Sequence, residues 1–158
     1  MSEPNPVREL MIERLIDAPP SALWRAYTEH LSEWFCPKPW RAEVVEMDLR
    51  SGGRAAITMY GPNGETMPND GIYLEVIPER RIVFTDAFTG DWNPAGPFMV
   101  GFFEFEPEGD KTRFRGRARH WSDEALEQHK AMGFEQGWGV MAEQLEAVAK
   151  RLAAKADA

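Results

Sequence analysis

Only one cysteine, Cys36, occurs in the 158 residues, so no disulfide can close within the chain and a reducing compartment, the cytoplasm, is the expected location. Histidine is scarce too. His30, His120 and His129 are too few and too scattered to build a zinc site with that lone thiol, and neither a metal nor a cofactor is expected. Basic residues are outnumbered, 18 Lys and Arg against 26 Asp and Glu, for a net charge of −8. A surface of that sign argues against nucleic acid as a partner and gives no attraction to an anionic membrane. No apolar run approaches the roughly 20 residues of a membrane span, and the first six residues lack the cationic-then-apolar order of a secretory signal. There is no glycine-rich phosphate loop either, since Gly52-Gly53 reads as a turn.

What is present is bulky and adaptable: six Trp and eight Met, side chains that suit an irregular apolar cavity as well as a core. The most ordered pattern lies near the end of the chain. Phe134, Trp138, Met141, Leu145, Val148 and Leu152 recur every three or four residues, one stripe of an α-helix. Glu135, Gln136, Glu143, Gln144, Glu146, Lys150 and Arg151 fall on its other face. Burying such a stripe is worth on the order of 10 kcal/mol, so the helix must lie along something apolar. Nearly everything upstream reads as strand, and one helix held by one sheet is the expected plan.

In chain order, residues 7–17 read as a first strand with apolar side chains on both parities, so its facing is open. Pro19-Pro20 then starts a short helix through Leu23, Trp24 and Tyr27, with a second around Leu31 and Trp34. Trp34, Phe35 and Trp40 crowd a proline-interrupted segment that either plugs one end of the core or forms the lip of a cavity. Strands follow at 42–49, 54–60, 72–77 and 81–86, separated by turns, with a broken segment at 67–71 and one long loop at 90–97. Strands joined only by turns make an antiparallel meander.

The last hairpin can be read residue by residue. Arg113, Arg115, Arg117 and Arg119 share one face; Phe114, Gly116, Ala118 and His120 share the other. A turn around residues 108–111 sets Glu106 against Arg113, Glu104 against Arg115, Phe105 against Phe114, Phe103 against Gly116, Gly101 against Ala118, and Met99 against His120. Slipping by one residue would set arginines against the apolar parity, so the register checks itself. Gly101, Gly116 and Ala118 are small residues on the helix-facing side: they either admit Trp138 closely or leave a space. Beyond the hairpin, Ser122 is a good N-cap, followed by a helix carrying Leu126, His129 and Met132, with a kink at Gly133.

Ala18-Pro19, Leu23-Trp24-Arg25-Ala26, Trp34, Gly52-Gly53, Gly61-Pro62-Asn63-Gly64, Gly71-Ile72-Tyr73-Leu74-Glu75, Pro78-Glu79-Arg80, Thr112, His120, His129, Met132-Gly133-Phe134 and Gly137-Trp138 together resemble the heat-shock ATPase activator homologue domains. Those belong to the START-like (SRPBCC) helix-grip superfamily, which also holds lipid-binding domains, pollen allergens and polyketide cyclases. The resemblance covers about Leu10 to Leu152. It implies an α+β helix-grip fold: a curved antiparallel sheet of six or seven strands wrapped around a long C-terminal helix, with two short helices after strand one. One such domain would span 7–153, between tails 1–6 and 154–158.

A cavity between sheet and helix is where activity is expected. Its candidate lining is Trp34, Phe35, Trp40, Met59, Phe84, Met99, Gly101, Phe103, Gly116, Ala118, His120, Met132, Phe134, Trp138 and Met141. A small apolar or aromatic molecule is the expected ligand. A cyclase- or hydrolase-like enzyme using His120 with Asp86 is the alternative, though an interior pair of that kind more often satisfies its own hydrogen bonds. A chaperone-interacting module is a third reading. Val100 and Phe102, apolar among charges on the outer sheet face, suggest a homodimer.

Overall fold

The structure, a computed structural model, describes residues 7–96 and 98–156; the expected tail at 1–6 and Pro97 of the long loop lie outside them. The elements run β1 (Glu9–Ile16), α1 (Pro20–His30), β2 (Arg41–Met47), β3 (Arg54–Tyr60), β4 (Thr66–Ile77), β5 (Arg81–Thr85), β6 (Phe88–Thr89), β7 (Asn93–Pro94), β8 (Val100–Glu108), β9 (Lys111–Arg119), α2 (Asp123–Ala131) and α3 (Phe134–Ala156). Seven strands form one antiparallel sheet in the order β1-β9-β8-β5-β4-β3-β2. β6 and β7 make a separate two-stranded pair inside the long loop. This is the helix-grip plan.

The six-residue stripe of α3 is the spine of the core. Phe134, Met141, Leu145, Val148 and Leu152 are buried and Trp138 is partly so. Ala142 and Ala149 are buried as well, and α1 packs against α3. The expected second short helix is a 3-10 turn, Leu31–Glu33, because proline at 37 leaves no length for more. In β1 the ambiguous parity resolves: Ile12 and Ile16 point inward, while Met11 and Leu15 are exposed.

The hairpin register is as read for five pairs, Glu106–Arg113 through Gly101–Ala118. The turn is tighter than expected, with Glu108 and Lys111 already paired around Gly109-Asp110 and Gly109 at a φ of 65°. The sixth pair, Met99 with His120, does not form. The ladder ends at Val100–Arg119, and the His120 N–H donates instead to the Arg8 carbonyl (2.8 Å).

The charged outer face pairs diagonally as well as across. Arg115 reaches Glu106 and Glu13, and Arg117 reaches Glu104 and Glu9. Phe102 lies beneath this lattice, buried, with the Arg81, Arg117 and Arg119 guanidiniums 5.3, 4.6 and 4.9 Å from its ring centre. It is therefore not the exposed apolar patch on which the dimer expectation rested.

The broken segment at 67–71 is a correction too: β4 is continuous through it. Residues 66–71 pair with β3 alone, since β5 meets β4 only from Ile72 onward. One edge of that stretch is open, and the missing N–H of Pro68 is tolerated there. The Met132-Gly133 kink is a full break between two helices. The Gly133 N–H donates to Lys130 O from a φ of 89°, a left-handed helix end that glycine adopts without strain.

Candidate functional site

A cleft of about 760 Å³ opens between the first half of α3 and the β3–β4–β5 side of the sheet. One wall is Phe134, Gly137, Trp138 and Met141 of α3; the opposite wall is Ala55, Ile57 and Met59 of β3 with Met67, Asn69 and Gly71 of β4. Phe84, Phe103 and Met99 make the floor. Tyr27, Phe35, Cys36, Pro37 and Trp40 close one end, and Phe98, Gln128, His129, Met132 and Gly133 the other. Five of the eight methionines line it: Met59, Met67, Met99, Met132 and Met141.

Gly137 belongs to this wall for a physical reason. A Cβ placed on it would meet nothing within 4 Å, so the absent side chain is absent into open space. Gly101 and Gly116 are different. A Cβ on Gly101 would strike the Phe84 ring, and one on Gly116 would come within 3.1 Å of Trp138. The expected space beside the small hairpin residues is thus filled by these two aromatic rings, and Gly101, Gly116 and Ala118 do not line the cleft.

Trp34 is likewise part of the core, 1% exposed, its indole donating to Ala26 O at 2.8 Å. Phe35 and Trp40, beside it in sequence, are the ones on the cleft. Their segment is tied to α3 by Gln144. Its amide nitrogen donates to Trp34 O (3.1 Å) and Cys36 O (2.9 Å), and its oxygen accepts from the Lys38 N–H (3.2 Å). The polar side of α3 therefore holds the lip in place.

His120 and Asp86 do not meet. Asp86 accepts from the Phe98 and Met99 N–H groups (2.8 and 3.2 Å). His120 uses Nδ1 on Phe98 O (2.9 Å) and Nε2 on His129 Nδ1 (3.0 Å). Both groups hold the same short segment leading into β8. His120 is buried behind His129 and is not on the cleft; Asp86 is.

His129 is the polar residue that the sequence reading undervalued. Its ring centre is 5.0 Å from Phe98, 5.1 Å from Phe134 and 6.1 Å from Trp138. Burial among those rings, with His120 beside it, pulls its pKa down from 6.5 to about 4, so it is neutral at ordinary pH. At the other end Tyr27 and Tyr73 share a hydroxyl–hydroxyl hydrogen bond of 3.0 Å. Burial raises both phenols, Tyr73 to about 12 and Tyr27 well above its usual range. Burial also pushes the Cys36 thiol up, which leaves it an unreactive small apolar group.

Most polar groups around the cleft are already engaged. Asp70 is held by a two-pronged contact from Arg54 (3.2 and 2.9 Å), and Thr85 donates to Met99 O (2.9 Å). The arrangement offers an apolar enclosure with little acid–base chemistry on show.

A seven-stranded antiparallel sheet gripping a long C-terminal helix, with an open cleft between them, defines a helix-grip domain. Residues 17–150 match the family described as activator of Hsp90 ATPase homolog 1-like protein, and the chain belongs to that family. A crystal structure of a protein from Nitrosomonas europaea is 37% identical, with a TM-score of 0.86 over 90% of this chain and 94% of that one. One from Mycobacterium smegmatis is 27% identical, with a TM-score of 0.75 over 90% and 96%. At 18% identity, the solution structure of a protein from Aeromonas hydrophila shares the fold with a TM-score of 0.68 over 90% and 92%. No curated protein matches the chain.

Proposed function

We propose that this protein binds a small apolar or aromatic molecule in the cleft between α3 and β3–β5. The observation that carries the reading is the unfilled volume of about 760 Å³ walled by methionine and aromatic side chains, a size and lining usual for small-molecule sites. Gly137 strengthens it. Glycine inside a helix costs roughly 0.5–1 kcal/mol relative to alanine, and here it keeps the space open. Methionine-rich walls accommodate ligands of differing shape.

A hydrolase- or cyclase-like reaction through His120 and Asp86 is not favoured, because each is engaged with the Phe98–Met99 backbone and not with the other. A chaperone contact, which the family description suggests, would be carried by the outer surface and leaves the open cleft unexplained.

The test is titration with N-phenyl-1-naphthylamine, a neutral probe that fluoresces in apolar surroundings. A saturable rise at one probe per chain is expected, and Gly137→Phe, which puts a ring into the space, should remove it. No saturable rise with the wild type, or an unchanged one with Gly137→Phe, would overturn the reading.

A further inference from the structure

We propose that His129 Nε2 is a hydrogen-bond acceptor at the α2 end of the cleft, and that the ligand is therefore an apolar molecule bearing a hydroxyl, a phenol or an alcohol, rather than a plain hydrocarbon or a carboxylate. The inference rests on the cleft being a binding site, and adds the polar half of the ligand.

A carbonyl oxygen only accepts, so His120 Nδ1, 2.9 Å from Phe98 O, carries a hydrogen. A neutral imidazole has only one, and His120 Nε2 is then a bare acceptor. The 3.0 Å contact to His129 Nδ1 consequently requires the hydrogen to sit on His129 Nδ1. That leaves His129 Nε2 with its lone pair free. His129 is 8% exposed and lines the cleft. Nε2 has no protein partner among the described residues, and it is not among the side-chain atoms sealed away without one. A relay that begins at a backbone carbonyl thus ends as a fixed acceptor inside an aromatic surround of Phe98, Phe134 and Trp138.

An acceptor in an apolar enclosure selects for a donor, since a group without one leaves the nitrogen desolvated and unpaired. A carboxylate would set negative charge against that lone pair with Asp86 also on the cleft wall. A hydroxyl satisfies it while the rest of the molecule meets methionine and aromatic surface.

The experiment compares 1-naphthol, naphthalene and 1-naphthoate with the wild type and with His129→Phe, each by competition against N-phenyl-1-naphthylamine. Naphthol is expected to bind the wild type about tenfold tighter than naphthalene, the equivalent of about 1.4 kcal/mol, with naphthoate weakest. In His129→Phe the naphthol preference should fall to near parity. Imidazole nitrogen NMR of the wild type should show His129 protonated at Nδ1 and bare at Nε2, with the Nε2 resonance moving when naphthol is added. Equal binding of naphthol and naphthalene to the wild type, or a preference that survives in His129→Phe, would overturn the acceptor assignment while leaving the cleft a binding site. A His129 protonated at Nε2 would do the same. Failure of the fluorescent probe itself would remove both.

Discussion

Glycines 101 and 137 look alike in the sequence, and the structure gives them opposite consequences. Alanine at 101 would press on the Phe84 ring, and overpacking of that kind costs about 1–3 kcal/mol. At 137 the added methyl meets open space and a helix gains from losing glycine, by up to about 1 kcal/mol. Thermal unfolding should therefore show Gly101→Ala melting lower than the wild type and Gly137→Ala melting higher, by about 2–4 °C for the latter. His129 supplies a second expectation at this scale. Its folded pKa of about 4 lies below the ordinary 6.5, so the unfolded chain takes up a proton that the folded one refuses. The associated stability is complete above pH 6.5 and is lost as the pH falls toward 4. Between those limits the wild type should lose melting temperature more steeply than His129→Gln. Parallel pH profiles would show that the ring is not held neutral by the fold.

At the scale of elements, the parts fixed by periodicity were open to reading from residues alone. The α3 stripe is legible from its three-to-four spacing, and the β8–β9 register because a slip of one residue would bury arginine beside Phe103 and Phe105. β4 is hidden in the sequence because Pro68 and Gly71 look like breakers. Whether a proline breaks a strand depends on which edge is open, and that is known only when the neighbouring strands are placed. The polar side of α3 was legible as polar but not as useful. Gln144 reaches three backbone groups of the segment from Trp34 to Lys38, a partnership over more than a hundred residues that no local pattern signals. Gln144→Ala should cost about 1–3 kcal/mol, since it strands two part-buried carbonyls. Amide hydrogen exchange should then speed up at Phe35–Lys38 while the β8–β9 hairpin stays protected. Equal acceleration in both places would mean that Gln144 supports the fold as a whole and not the lip.

For the whole molecule, the residues imply that sheet and helix enclose something, but the small residues of β8 and β9 do not mark where the space lies. Small residues on β8 and β9 suggested space there, but Phe84 and Trp138 reach in from neighbouring elements and fill it. The open volume lies instead against β3 and β4, which contribute Met59 and Met67 to its wall. Of the expected lining, Phe134, Trp138 and Met141 of α3 face the cleft, together with Phe35, Trp40, Met59, Phe84, Met99, Phe103 and Met132. Phe98, Gly137 and His129 escaped notice as lining residues because their role depends on what lies opposite them. Family membership, shown over residues 17–150, accounts for the architecture, while the cleft's contents are a matter of this chain's own side chains.

The most direct test of the account is the melting temperature of the wild type and of Gly137→Phe across a library of small apolar and aromatic compounds. Some compounds should raise the wild-type value in a concentration-dependent way, while folded Gly137→Phe should gain nothing from them. A library that leaves the wild type unmoved, or that stabilises both proteins equally, would contradict it.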